Sequence, residues 1–274
     1  CTFLLTKNEK REKRQMKIYF VHSRHFEPLL RQEEVKIIVS YARRHAKENY
    51  RPEVPKGFPE IMVDSGGYQL QKGTGDREVY LKAYSLWLNL LLPNHPEVKH
   101  YMNLDIWRDG EASLKNQKFL ESEGLKPVPI WHAGTNARFL DYYYQNYEYI
   151  AIGGIATLRN KEALCQLVDW LFQQFPDRKY HFLGIGLSGI RAFSAFLPYS
   201  IDFSTYGVTE RFGHRLIYDK KQLLKEVVLP DELKQKMRDD KQFANGETLA
   251  SIRAIKQLEE DVPLLYRPPQ GSLL

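Results

Sequence analysis

Residues 60–69 read EIMVDSGGYQ, and the fold is decided there. Ile61, Met62 and Val63 make a short apolar run, the pattern of a buried strand. Asp64 ends the run, and Gly66 and Gly67 supply the turn that follows. Glycines at such a turn let backbone N–H groups come close to a ligand. A carboxylate at the C-terminal end of a buried strand stands where α/β folds keep their active sites. An isolated acid of this kind reads equally well as a turn cap. The recurrence of the layout along the chain is what favours chemistry.

Working outward, further short apolar runs predict strands at residues 17–23, 100–106, 128–134, 149–155, 180–186 and 199–204, with 215–218 as the eighth. Apolar spacing predicts helices at residues 32–49, 76–92, 111–123, 136–147 and 161–175, and a short one at 188–196. Asp76 reads as an N-cap, and Pro93 and Gly124 as stops. Three more helices are expected at residues 221–228, 230–238 and 247–259. Near-continuous apolar strands alternating with helices favour a single-domain (β/α)8 TIM barrel. An open doubly wound sheet would want a glycine-rich turn after its first strand, where this chain has His22-Ser23-Arg24-His25.

The organisation expected is a basic arm over residues 1–15, a barrel domain with C-terminal helices over 16–262, and an irregular tail over 263–274. The arm carries KNEKREKR at residues 7–14 and reads most simply as solvated. Of the 274 residues, 43% are hydrophobic, enough for a sizeable core, and 27% are charged, which argues against a disordered chain. No apolar run approaches the roughly 18 residues of a membrane span. No signal-peptide core is visible, so a cytoplasmic location is expected. A net charge of +6 permits a polyanionic partner. Two cysteines, Cys1 and Cys165, provide neither a disulfide framework nor a four-cysteine zinc site.

In a barrel the strand ends share one mouth. That would gather Asp64, Asp105, His132, Gly153, Gly154, Gly184 and Asp202 on a common rim. Three carboxylates there suit nucleophilic or acid/base work. A metal is less well served, because His132 alone offers nitrogen. No lysine ends a strand, and no phosphate-binding P-loop occurs, so Schiff-base and P-loop chemistry are unsupported.

Asp64-Ser65-Gly66-Gly67-Tyr68-Gln69 resembles the D-S-G-G-[FY]-Q signature of the tRNA-guanine transglycosylases. Further pieces follow in that family's order. They are Leu104-Asp105, Pro129-Ile130-Trp131-His132-Ala133-Gly134, Ile152-Gly153-Gly154-Ile155-Ala156, His181-Phe182-Leu183-Gly184-Ile185-Gly186 and Ser200-Ile201-Asp202-Phe203-Ser204. The departures are equally definite. No cysteine follows Cys165, where the family's zinc site is expected. His132 stands where Gln is usual, and Leu183 where Met is usual. These differences resemble the DNA-modifying branch of the superfamily, the DpdA-type transglycosylases of phages and bacterial modification clusters.

The resemblance implies exchange of guanine in DNA for a 7-deazaguanine, without a cofactor or metal. Asp202 is the implied nucleophile, forming a glycosyl-enzyme at C1′, and Asp64 the implied general acid/base. Ser65, Gly66, Gly67, Tyr68, Gln69, Asp105, His132, Gly153, Gly154, Leu183 and Gly184 are the implied base pocket, with Tyr68 and Leu183 sandwiching the ring. The target base must be flipped out or single-stranded to be reached. Arg24, Arg108, Arg159, Lys161, Arg211 and His214 follow strand ends and are expected to contact phosphates. DNA is expected over tRNA because the zinc subdomain and any appended RNA-binding domain are missing. The alternatives are a tRNA-acting transglycosylase and an inactive nucleic-acid-binding or partner subunit.

Overall fold

The computed structural model describes residues 16–42, 53–72, 75–155, 158, 161–194, 196–221 and 223–265. Eight strands form one sheet: β1 (Lys17–Val21), β2 (Lys36–Ser40), β3 (Ile61–Asp64), β4 (Val98–Tyr101), β5 (Ile130–His132), β6 (Tyr149–Gly153), β7 (Lys179–Phe182) and β8 (Ser200–Phe203). Their order is β4-β3-β2-β1-β8-β7-β6-β5. Every pairing within it is parallel. The sheet is curled so far that its two outer strands approach each other. Just beyond β4, Met102 forms a parallel bridge with Val128, which leads into β5. The Val128 N–H donates to the Tyr101 carbonyl at 2.8 Å, and the Asn103 N–H to the Val128 carbonyl at 2.9 Å.

The curl creates two apolar layers. The inner cluster takes Tyr19, Ile38, Met62, Met102, Val128, Ile130 and Ala151, which come from strands at both ends of the sheet order. The outer, larger cluster takes the alternate strand residues, such as Ile18, Phe20, Ile37, Val39, Ile61 and Val63, and packs them under the helices. Period-two alternation with both faces buried explains why these strands read as unbroken apolar runs.

Most connecting helices begin where the sequence caps them. Asp76 accepts from the N–H groups of Glu78 and Val79 at 2.8 and 3.2 Å and opens the helix Arg77–Leu91. Asp109 caps Gly110–Ser122 and Asn136 caps Ala137–Asn146 in the same way. The helix Arg77–Leu91 buries Leu81, Tyr84, Trp87, Leu88 and Leu91, the spacing of one helical face. Lys161–Gln174 follows β6, and a 3-10 helix, Leu187–Ser194, follows β7.

Four expectations are corrected. Residues 36–40 are strand β2, not part of a helix. The run Lys36-Ile37-Ile38-Val39-Ser40 is β-branched at three consecutive positions, which is stiff and favours a pleated surface. The helical spacing of Val35, Ile38, Val39 and Ala42 ignored Ile37, which is fully buried on the same face as Val39, opposite to Ile38. Consequently residues 215–218 are not the eighth strand of the sheet. They lie in β9 (His214–Asp219), which pairs antiparallel with β10 (Leu223–Val228) in a separate hairpin. That pairing also overturns the helix expected at residues 221–228: partnership with β9 outweighs a short helical pattern. Finally, Asn103 to Ile106 are not strand.

The chain closes with helices Asp231–Asp239 and Lys241–Leu265. The latter takes in residues 263–265, expected to belong to the tail. Its Glu259 accepts from the Ile18 N–H at 2.8 Å and from Lys36 Nζ at 2.9 Å, tying the helix to the starts of β1 and β2. Residues 1–15, and the tail beyond residue 265, lie outside the described residues.

Candidate active site

Parallel pairing places every strand's C-terminal end on one side, and the chemistry-bearing residues follow it there. Asp64 closes β3, opposite Ser40 of β2. Asp202 lies on β8, opposite Tyr19 of β1. His132 and Gly153 close β5 and β6 and are direct neighbours. Asp105 comes from the irregular segment after β4, which the next helix holds in place. Asn103 donates to the Ser113 carbonyl at 2.8 Å, Asn116 to the Leu104 carbonyl at 2.8 Å, and the Ile106 N–H to Ser113 Oγ at 2.9 Å.

The two adjacent glycines of the turn have distinct steric reasons. Gly66 has φ +79°, and an added Cβ would lie 2.4 Å from the Ala42 Cβ. At Gly67 an added Cβ would lie 2.7 Å from both the carbonyl and a carboxylate oxygen of Asp105. The turn therefore packs directly on Asp105, bringing the Asp64 and Asp105 segments together. Tyr80 pins it by donating to the Ser65 carbonyl at 2.6 Å. Ser65 itself is fully buried, and its hydroxyl makes no protein hydrogen bond.

Asp64 is pushed up to about 6. Burial is the main cause and the negative charge of Asp105 adds to it, with Asp202 contributing further; the Gly66 N–H, donating to the carboxylate, opposes them. A carboxyl with a pKa near working pH can both give and take a proton.

Asp105 is engaged by His132, whose Nε2 lies 2.8 Å from Oδ2. The Arg108 N–H points at His132 Nδ1 from 3.4 Å, so Nδ1 is the acceptor and Nε2 carries the proton that Asp105 receives. The one N–H of His132 is thus spent on Asp105, which it orients. Gly153 makes room for the ring: a Cβ there would lie 2.5 Å from His132 Cδ2. Trp107 leans on the same ring with centroids 5.0 Å apart.

Asp202 Oδ1 accepts from the Gly184 N–H at 2.7 Å. Gly184 has φ +69°, which places its amide toward β8. Leu183 is partly buried against the inner apolar cluster. Tyr68 is 62% exposed, in the helix Gly67–Lys72. Gln69 lies in that helix too, and its side chain lies outside the described residues. Gly154 follows β6 with φ +79°.

The expected phosphate contacts divide. Arg24, Arg108 and Arg211 are exposed. The Arg108 guanidinium lies 5.5 Å from the Trp107 ring centre and that of Arg211 5.1 Å from Phe212. His214 is half-buried and bonded to Glu226 across the β9–β10 hairpin, so it is already paired. Arg159 lies outside the described residues, as does the side chain of Lys161.

Sequence reasoning missed Trp107 and the polar residues beneath Asp202, which are His181, Ser200 and Tyr149. Ser200 had a legible signal: it precedes Asp202 by two residues on one strand and therefore shares its face. Among the described residues no group of three His, Cys, Asp or Glu side chains is arranged to hold a metal ion. The three-cysteine zinc site of the transglycosylases does not fit a chain with two cysteines. Among the described residues no helix is long and apolar enough to cross a membrane.

No protein-family model matches the chain, and no characterised protein matches it in sequence. The functional reading therefore rests on the site itself.

Proposed function

We propose that the curled sheet is a closed (β/α)8 barrel and that the protein is a guanine transglycosylase, exchanging guanine in DNA for a 7-deazaguanine. The observation that carries this reading is the meeting of three carboxylates at the strand ends, each with different partners. Asp202 is the nucleophile, its carboxylate held at one oxygen by the Gly184 N–H. Asp64, with its pKa raised to about 6, gives a proton to the departing guanine and takes one from the incoming base. Asp105, oriented by the His132 Nε2–H, reads the hydrogen-bonding edge of the base.

The reaction is a double displacement. An Asp202 oxygen attacks C1′ as the bond from C1′ to the guanine nitrogen breaks, and the electron pair leaves on the base. The incoming base then attacks C1′ and releases the carboxylate. Two inversions retain configuration, as in retaining glycosidases. Tyr68 offers an exposed ring for stacking at the mouth.

DNA is favoured over tRNA because the β9–β10 hairpin, without a cysteine, follows β8 where the tRNA-acting enzymes carry zinc. The test is a base-exchange assay with labelled guanine and 7-deazaguanines on duplex DNA, single-stranded DNA and a tRNA anticodon stem-loop. Incorporation into DNA is expected. Exchange confined to the stem-loop would transfer the reading to tRNA, and none on any polymer would overturn it.

A further inference from the structure

We infer that His181 is a positioning residue for Asp202, holding carboxylate oxygen Oδ1 through its Nε2–H so that Oδ2 makes the attack; this rests on the proposed nucleophilic role of Asp202. His181 is fully buried on β7, directly opposite Ser200 of β8. Its Nδ1 lies 2.7 Å from Ser200 Oγ, and Ser200 Oγ lies 2.6 Å from the Tyr149 hydroxyl. The other ring nitrogen, Nε2, has no hydrogen-bond partner and lies 3.6 Å from Asp202 Oδ1. A buried imidazole nitrogen without a partner is costly, and it is aimed at the reacting carboxylate.

The proton positions follow from the acceptor at the end of the chain. An ionised carboxylate offers only lone pairs, so the nitrogen facing it carries hydrogen. With the proton on Nε2, Nδ1 accepts from the Ser200 hydroxyl, and Ser200 accepts from Tyr149. The result is one directional series of donors: Tyr149, Ser200, His181, Asp202. At 3.6 Å the last link is longer than a hydrogen bond. A shift of a few tenths of an ångström converts it to a charge-assisted one.

The two oxygens of Asp202 are thereby made unequal. Oδ1 faces two donors, the Gly184 N–H and His181 Nε2–H. For Oδ2 no hydrogen bond or ion pair is present among the described residues. Oδ2 forms the bond to C1′ as the bond to the base breaks. Oδ1 becomes the carbonyl oxygen of the ester, still facing both donors. When the second base attacks, the Oδ2–C1′ bond breaks and its electron pair restores the carboxylate.

Three variants and one spectrum test this. His181→Leu is expected to lower kcat about 100-fold with KM unchanged, as misorientation of a reacting group does. His181→Gln, which restores an N–H donor, is expected to recover most of that loss. Ser200→Ala, which removes only a hydroxyl and frees the ring to take the wrong tautomer, is expected to lower kcat about 10-fold. Wild-type kcat in Ser200→Ala and in folded His181→Leu would overturn the inference. Long-range proton–nitrogen NMR of histidine-labelled protein is expected to show the proton of His181 on Nε2, shifted by Asp202→Asn. A proton on Nδ1 alone, or a signal indifferent to Asp202→Asn, also overturns it. A wild-type protein inert on every polymer instead sinks the transglycosylase reading and the catalytic half of this inference, while the spectrum still decides the His181 contact.

Discussion

Glu60 and Asp64 stand four residues apart, at opposite ends of one strand, and they show two ways to keep a carboxylate inside a protein. Lys17 Nζ donates to both oxygens of Glu60 at 2.9 Å, Tyr19 donates to it as well, and His100 lies 3.9 Å away. Burial pushes Glu60 up, but the bonds from Tyr19 and Lys17 outweigh it and leave the carboxyl below its usual range. Burial drives His100 down to about 4; the Glu60 charge opposes that shift, and the positive charges of Lys17, His181 and Lys179 add to it. Asp64 meets the opposite surroundings. Burial and its carboxylate neighbours outweigh the Gly66 amide and the Ser40 hydroxyl, and its pKa rises to about 6. A charge matched by a cation holds structure together. A charge crowded by its own kind is held at a cost in stability, and functional sites are where such costs are kept.

The comparison breaks most visibly in the rate. Asp202→Asn should abolish base exchange, a loss of at least about a thousandfold, and with it any covalent nucleic-acid adduct trapped on a denaturing gel. Glu60→Gln should leave kcat near wild type while lowering stability by about 2 kcal/mol in urea titration, because Lys17 loses its counter-charge. An adduct formed by Asp202→Asn would refute the assignment of the nucleophile.

Stability against pH sharpens the same contrast. Asp64 has a folded pKa above its unfolded value, so between about pH 4 and pH 6 the folded chain keeps a proton that the unfolded chain has lost. Its contribution is therefore favourable below that window relative to above it, and stability falls as pH rises through it. The difference is about 3 kcal/mol. Asp64→Asn should accordingly be inactive yet more stable than wild type at pH 7.5, with the gain shrinking as pH falls toward 4. Glu60 carries the opposite sign: its stabilisation is present at neutral pH and lost as pH falls through its lowered folded pKa. Thermal melts of both variants across pH 4–8 check the two signs together.

The smallest effect belongs to the rim. Arg24→Ala and Arg211→Ala should each weaken DNA binding only a few-fold and reduce the slope of log affinity against log salt by about 1. His214→Ala should leave that slope unchanged, because its ring is occupied by Glu226.

The alternation of buried strands and capped helices was legible in the sequence because each is a local signal. Asp76, for one, sits next to the backbone groups it caps. The three acids were legible because a carboxylate at or near the end of an apolar run recurs along the chain. Strand β2 was misread because Val35, Ile38 and Val39 fit a helical period as well as a strand, and only pairing with β1 and β3 decides between them. β10 was misread for the same reason, its partner being β9. The Tyr149, Ser200 and His181 series was out of reach because its members lie on three strands, and only sheet register brings them together.

The grip of Glu259 on the Ile18 amide has a dynamic consequence. An interior strand amide would ordinarily be protected from solvent exchange by its neighbouring strand, yet this one is bonded to a side chain of the helix Lys241–Leu265. Its deuterium uptake therefore reports the undocking of that helix, while its neighbour Lys17, whose N–H is bonded to the Tyr199 carbonyl, reports the opening of the sheet. Two adjacent amides thus time two separate openings. If the C-terminal helix leaves before the sheet opens, Ile18 exchanges first.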